Sequence, residues 1–396
     1  MRRVGKMSRG VRLAIAATGM VAITGCAPPV SDQLETVTSA ITVGTIGDLW
    51  TALNNYPNGV IDLNNDIYAN GYAWHLGYFA GTLNGHDHTI FNLTTSDTIG
   101  QSAAMFVYAE FATIKNLRLV NVTVTGTYAS AGLIGGSYDC AVDNVAVEGT
   151  ASAPNYVGGI IGSMAGGTLS KSYFKGTVTG GAYGAGGLVG VTGSTETTGT
   201  AKITSSYAQA LNQTSTLVAG STAAGIHPAG GIVGGGGGME LKDVYAIGAV
   251  KGRGSSGGLI GRPTCDDPRP FVLYRGIYRG NVTDSNLAEP GGWAGTLGKA
   301  TDVTCSSRAS MLFFNRDLDT SQNYLTLGNV SQRSSTGAEL TAPTAPGVAN
   351  GGIFCPPSMT LVPCGDDPMT SPPWDYGAAN QNNVLMNMPG PNNQIR

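Results

Sequence analysis

One five-residue signature returns five times in this chain: Ala131-Gly132-Leu133-Ile134-Gly135, Gly158-Gly159-Ile160-Ile161-Gly162, Gly186-Gly187-Leu188-Val189-Gly190, Gly230-Gly231-Ile232-Val233-Gly234 and Gly257-Gly258-Leu259-Ile260-Gly261. Its second glycines are 27, 28, 44 and 27 residues apart, and a degenerate copy at Ala104-Met105-Phe106-Val107 lies 28 residues upstream of the first. A fixed period of this size marks a repeat architecture, because each unit is too small to bury its apolar face without a neighbour. Between signatures a second pattern recurs: Thr113-Ile114-Lys115-Asn116-Leu117, Val142-Asp143-Asn144-Val145, Leu169-Ser170-Lys171-Ser172-Tyr173, Ile203-Thr204-Ser205-Ser206-Tyr207 and Leu241-Lys242-Asp243-Val244-Tyr245. Alternating apolar positions, frequent β-branched residues and regular glycine suit short strands and disfavour helix. About three strands per unit, at roughly 3.3 Å per residue, make one turn of a parallel β-helix whose neighbours stack about 4.8 Å apart.

These residues resemble the GLUG motif of bacterial surface proteins. Upstream, Phe79-Ala80-Gly81-Thr82-Leu83-Asn84-Gly85-His86-Asp87-His88-Thr89-Ile90-Phe91-Asn92-Leu93 is similar to the first turn of such arrays, and Pro373-Trp374-Asp375-Tyr376-Gly377 is similar to their usual close. The resemblance spans about residues 45–285 and implies an all-β, right-handed parallel β-helix (solenoid) of the pectate-lyase-like and filamentous-haemagglutinin-like kind. Adhesins and the non-catalytic repeats of IgA-peptidase-type surface proteases carry such repeats.

The predicted organisation has four parts: a lipoprotein signal peptide over 1–25, a tether over 26–42, the solenoid over 43–285 and an irregular C-terminal cap region over 286–396. Arg2, Arg3, Lys6, Arg9 and Arg12 precede or open an apolar run from Val11 to Ile23, too short to span a bilayer and suited to export. Ile23-Thr24-Gly25-Cys26 resembles a bacterial lipobox, which implies acylation (palmitate) of Cys26 and, with Ala27 next, an outer-membrane or cell-surface location. Without that leader 17 basic and 25 acidic residues remain, a net charge of about −8, with no footprint for nucleic acid. The 60 glycines read as turn positions of an ordered array, given the repetition and 41% hydrophobic content.

Leu49, Trp50 and Leu53 follow Asp48, read as the helix N-cap, at helical spacing and predict a short helix over the open end of the stack, needed because a parallel stack leaves a row of backbone groups open there. Val60 to Ile67 reads as the first strand. The 44-residue interval predicts excursions within 192–202 and 212–227. Beyond Gly261, Tyr274 to Tyr278 reads as one more strand, and Ala309 to Phe314 and Glu339-Leu340 as short helices. Of the remaining cysteines, Cys355 with Cys364 is the first candidate disulfide and Cys265 with Cys305 the second, leaving Cys140 over.

For chemistry, H-E-x-x-H is absent, and the cysteines show no C-x-x-C spacing. His86 and His88 are two apart, a spacing that would put both on one strand face, yet His88 fits the repeat's own pattern and no metal is predicted. Ser256 satisfies G-x-S-x-G at a repeat boundary where no helix follows. Asp143 and Asp243 fall at corresponding pattern positions but in distant units, whereas a glycosidase pair lies roughly 5 to 9.5 Å apart. No cofactor and no catalytic residue are assigned. Tyr173, Tyr207, Tyr245 and Tyr278 follow one strand pattern and form an aromatic row, either an exposed binding stripe or a self-stacking ladder. The expected function is a non-catalytic adhesin or binding module, anchored in the membrane by lipid and taking a glycan or a host or cell-surface protein as partner. A carbohydrate-active lyase or hydrolase and a structural envelope component are the alternatives.

Overall fold

The computed structural model describes residues 39–97, 102–193, 198–210, 215–222, 226–264 and 272–285, and beyond these the strands Ala294–Leu297, Arg308–Asn315, Gln332–Ser335, Trp374–Asp375 and Val384–Leu385. The described chain is almost entirely β, with one helix, and its strands form long parallel sheets. In the first sheet Thr113–Thr125 pairs with Ala141–Ala153, which pairs with Thr168–Ser170 and Tyr173–Gly180. The same pairing continues through Ala201–Gln209, Met239–Ile247 and Val272–Arg279. In the second, Phe106–Glu110, Ile134–Tyr138, Ile161–Ala165, Val189–Gly193 and Val233–Gly236 follow one another. Each repeat unit thus forms one rung whose backbone bonds run to the rungs on either side.

The signature sits where two short strands of the second sheet meet, as Ala129–Ala131 gives way to Ile134–Tyr138. Its apolar third residue, Leu133, Ile160, Leu188, Ile232 or Leu259, is fully buried. Their amides carry the ladder across the bend: Leu133 N–H donates to the Ile160 carbonyl at 3.1 Å, Ile160 to Leu188 at 2.9 Å, Leu188 to Ile232 at 3.0 Å and Ile232 to Leu259 at 2.9 Å. The second glycine is required by close approach, since none of the five has a positive φ. A Cβ on Gly159 would stand 2.2 Å from both the Gly187 carbonyl oxygen and the Phe174 ring, and one on Gly187 would stand 2.1 Å from the Gly231 oxygen. Gly132 faces Val147, Gly231 faces Ala246 and Gly258 faces Tyr278 in the same way. Val147, Phe174, Ala208, Ala246 and Tyr278 are one register column, so each rung closes its backbone on the strand opposite. The fifth-position glycines Gly162, Gly190, Gly234 and Gly261 press on the carbonyl of their counterpart in the preceding rung, and Gly135 presses on Ser102 and the Val107 carbonyl.

Corners turn in the left-handed region. Asn116, Asn144, Lys171, Ser205 and Asp243 have φ of 52, 56, 46, 48 and 57° in successive rungs. Asn suits this region because its short polar side chain bonds locally. Here the amides also bond between rungs: Asn144 Nδ2 donates to Asn116 Oδ1 at 2.8 Å, and Asn116 Nδ2 to Asn84 Oδ1 at 3.2 Å. A second file joins Asn121 to Asn92 at 2.6 Å and Asn92 to Asn70 at 2.5 Å. Beside the first file, Ser172 and Ser206 are buried, and their hydroxyls accept the amides of Val145 and Ser172, both at 3.1 Å.

Several expectations change. The helix is Ile46–Asn55, but its cap is Thr45, whose Oγ1 accepts the Asp48 amide at 3.1 Å and donates to the Asp48 carboxylate at 2.7 Å. The first strand is Ile41–Val43, partly inside the predicted tether, and it pairs with Ile61–Leu63. Val60 to Ile67 is split into Val60–Leu63 and Ile67–Tyr68 around the Asn64-Asn65 turn. The excess of the long interval is shared among three corners: the register offset between rungs is 28 at Ala165↔Gly193, 34 at Thr168↔Lys202, 40 at Val178↔Val218 and 44 at Ala185↔Ala229. Parallel pairing persists past 286, where Arg308–Asn315 is a strand on Val272–Arg279, in place of the predicted helix at 309–314, and carries Gln332–Ser335 in turn. A β-rich stretch next to a parallel edge gains ladder bonds that an isolated short helix lacks. Trp374–Asp375 pairs antiparallel with Val384–Leu385. Glu339-Leu340 lies outside the described residues.

Valine at Gly159 or Gly187 should destabilise the protein by more than about 3 kcal/mol, because the obstacle is backbone. Alanine at Gly193, where an added Cβ meets nothing within 4 Å, is the control. Thermal melts followed by circular dichroism check both; unchanged melting of the valine variants would remove the close-approach explanation.

Candidate functional site

The predicted aromatic row is internal. Tyr173, Tyr207 and Tyr245 share a register column, but Tyr278 is one residue out: it pairs with Ala246, while Ile277 pairs with Tyr245. One residue moves a strand side chain to the other face, so Tyr278 turns towards Gly258 and donates its hydroxyl to the Gly248 carbonyl at 3.0 Å. All four rings are at most 2% exposed. Tyr173 and Tyr207 stack at 5.0 Å and 3°, which closes their faces, and Tyr207 meets Tyr245 at 6.2 Å. The Tyr173 hydroxyl donates to Glu148 Oε1 at 2.8 Å. Burial, then the Glu148 charge, hold that hydroxyl protonated far into the alkaline range. Burial does the same at Tyr207. The binding-stripe alternative is thereby corrected: these rings are packing.

Accessible aromatics lie elsewhere, on the second sheet and its corners. Tyr78–Phe79 pairs with Tyr108 and Ala109, placing Tyr78 beside Tyr108 with ring centres 6.1 Å apart and 24° between planes. Below them Phe79 and Phe106 stack in the core at 4.9 Å. Tyr108 and Glu110 are half-buried, and the Tyr78 hydroxyl donates to Glu110 Oε2 at 3.3 Å. Burial, then the nearby Glu110 charge, push the Tyr108 hydroxyl up to about 12. In the next rung Tyr138 stands opposite Glu110 and meets Phe111 edge-on at 5.5 Å. Phe111 is 61% exposed and Tyr78 43%. At the other end of this sheet Tyr128, Tyr156 and Tyr183 form an outer file with centres 5.7 and 5.3 Å apart. Burial, then Tyr128, push the Tyr156 hydroxyl up to about 12. Sequence reasoning missed both clusters, although the spacings of 28 and 27 residues in Tyr128, Tyr156 and Tyr183 match the repeat period.

The other candidates fall as follows. His86 and His88 do not share a strand face: His86 and Asp87 turn with φ of 49 and 65°. His86 Nε2 is 3.2 Å from Asp62 Oδ1, and His88 Nδ1 is 3.6 Å from Asp66 Oδ1. Asp143 and Asp243 are not equivalent, since Asp143 pairs with Ser170 whereas Asp243 occupies the left-handed column of Asn144. Asp143 accepts from Ser170 Oγ at 2.7 Å and pairs with Lys171 Nζ at 3.7 Å. Ser256 is buried within the strand Gly254–Pro263 and donates to Asp284 Oδ2 at 2.8 Å. Cys140 is buried and free at the corner beside Asp139. Cys26, Cys265, Cys305, Cys355 and Cys364 lie outside the described residues.

No family model matches the chain. Halomucin of Haloquadratum walsbyi (strain DSM 16790 / HBSQ001) is 35% identical over 86 residues, 22% of this chain and 1% of that protein, so the chain spans about one hundredth of that relative's length. Two solved structures are similar at TM-score 0.45. A candidate immunoglobulin A1 protease from Bacteroides ovatus is 15% identical, with 77% of this chain and 87% of that one covered. An IgA1 protease is 16% identical over 75% of this chain and 21% of its own length.

Above pH 10, where tyrosines of an unfolded chain ionise, the folded state keeps the protons of Tyr108 and Tyr156 until about pH 12. The unfolded state then binds fewer protons, so stability is full below pH 10 and falls as pH rises through this window. Absorbance titration at the tyrosinate band should show an exposed class first and a delayed class, and denaturant midpoints should drop over the same interval. A single class near pH 10 would contradict the burial of these rings.

Proposed function

We propose that this chain is a non-catalytic cell-surface binding protein of the adhesin type. Its GLUG-type repeats form a right-handed parallel β-solenoid closed at its N-terminal end by the helix Ile46–Asn55, and a lipid on Cys26 holds it to the outer membrane or cell surface. The observation that carries the reading is the grouping of the partly exposed rings Tyr78, Phe111, Tyr128 and Tyr183 at the two ends of the second sheet, where each keeps accessible surface. Large exposed aromatics grouped on a regular framework mark contact surfaces, because Tyr and Phe bring wide contact area with little side-chain entropy to lose. Repetition supports the same role, since stacked units multiply one face into an extended surface for a glycan or a surface protein.

In the producing cell, Cys26→Ser in the full chain should move the protein from the membrane to the soluble fraction; continued anchoring would overturn the lipid assignment. The purified Cys26→Ser chain should bind whole cells or members of a glycan panel saturably. Absence of saturable binding to all of them would overturn the adhesin reading, and release of shortened polysaccharide would place the protein among carbohydrate-active enzymes.

A further inference from the structure

We infer that the flank formed by Tyr78, Tyr108, Glu110, Phe111, Tyr138 and Asp139 is a docking site for an arginine or lysine side chain of a partner polypeptide. The inference rests on the binding reading above and supplies the chemistry of the ligand. Its first support is Phe111, which combines a φ of 52° with 61% exposure. The same corner in the next rungs is occupied by Asp139 at 49° and Gly166 at 67°, residue types that tolerate this region. A phenylalanine there carries backbone strain and buries little ring, so folding does not account for it; such outliers point towards contact with something else.

Charge narrows the ligand. Glu110 and Asp139 are both half-buried beside the rings, and the ion pairs among the described residues involve Asp62, Asp66, Asp143 and Glu148 instead. Among the described residues, Glu110 accepts a single long side-chain hydrogen bond, from Tyr78 at 3.3 Å. Tyr108 packs against Gly136 of the next rung, where an added Cβ would come within 3.1 Å of its ring, so the rings accessible to a cation beside Glu110 are chiefly Phe111 and Tyr78. Aromatic rings around a carboxylate attract a cation twice, through the ring quadrupoles and through Coulomb attraction, and a guanidinium can also donate two parallel hydrogen bonds to the carboxylate. A neutral sugar would use the rings and donate hydroxyl hydrogen bonds to the carboxylates but would lack the salt-sensitive Coulomb attraction, and an anionic ligand would be repelled.

Titration of the full chain with hexaarginine, hexaglutamate and maltohexaose at low salt and at about 0.5 M salt separates these cases. Hexaarginine should bind and weaken with salt. E110Q and D139N should each weaken it about two- to five-fold. F111N should weaken binding as well while raising the melting temperature, since asparagine suits the corner; a purely structural role for Phe111 predicts no such opposition. Hexaarginine binding that is absent or indifferent to all three substitutions would overturn the inference, as would maltohexaose binding that E110Q leaves intact. Whole-cell binding by wild type and by the triple variant alike would leave the adhesin reading standing and remove this site. Hexaarginine binding that depends on Glu110, with no cell binding by wild type, would do the reverse.

Discussion

Each rung depends on its backbone passing within contact distance of the strand across from it. At Gly159 and Gly187 the nearest obstacles to a side chain are a carbonyl oxygen of the next rung and the Phe174 ring or Ala208 methyl of the same one. Only a residue without a Cβ leaves the following amide free to bond to the next rung while the apolar third residue points into the core. This is why one glycine column and one Leu/Ile column run together: the first makes the approach, and the second fills the space behind it. A parallel ladder is uniform only when every unit solves the same steric problem in the same way.

The corners meet a different demand. Each αL residue turns the chain between strands and leaves polar groups that need partners. In the first rungs the Asn84, Asn116 and Asn144 amides supply one another, each bond contributing about 1 kcal/mol net. Further along, Lys171, Ser205 and Asp243 take over the backbone conformation, while the buried hydroxyls of Ser172 and Ser206 accept amides that the neighbouring rung does not pair directly. The backbone path is constant, and the side-chain solution changes from rung to rung. That tolerance lets one corner absorb an exposed phenylalanine at Phe111 and the three corners of one rung absorb insertions.

Aromatic residues divide by face and by register. Tyr173 stacks on Tyr207, which meets Tyr245 at a tilt, a packing contribution of about 0.5 to 1.5 kcal/mol per ring pair beyond their burial. Tyr78, Phe111, Tyr128 and Tyr183 keep accessible surface and make the outer flank available for contact. Packed and accessible aromatics thus lie on the same set of parallel strands and the corners between them.

The repeat, the parallel strand character, the apolar columns and the need for glycine at the signature were legible in the amino-acid order, because they are periodic and local. So was the helix at residues 46–55, although reading Asp48 as its cap missed the reciprocal Thr45 bond. What the order of residues left open was the result of adding one rung to another. The excess of the long interval near Gly187 was legible within 192–202 and 212–227, but only the pairing offsets of 28, 34, 40 and 44 show it divided among three corners. Tyr278 shares a motif with Tyr245 but sits one residue out of register, and the face of a β side chain depends on register, which a partner strand sets. Likewise, Glu110 meets Tyr78 and Tyr138 from units 28 to 32 residues away. Neighbourhoods across rungs are therefore a tertiary property: they arise from the sum of every loop length between the strands, a quantity that no single motif contains.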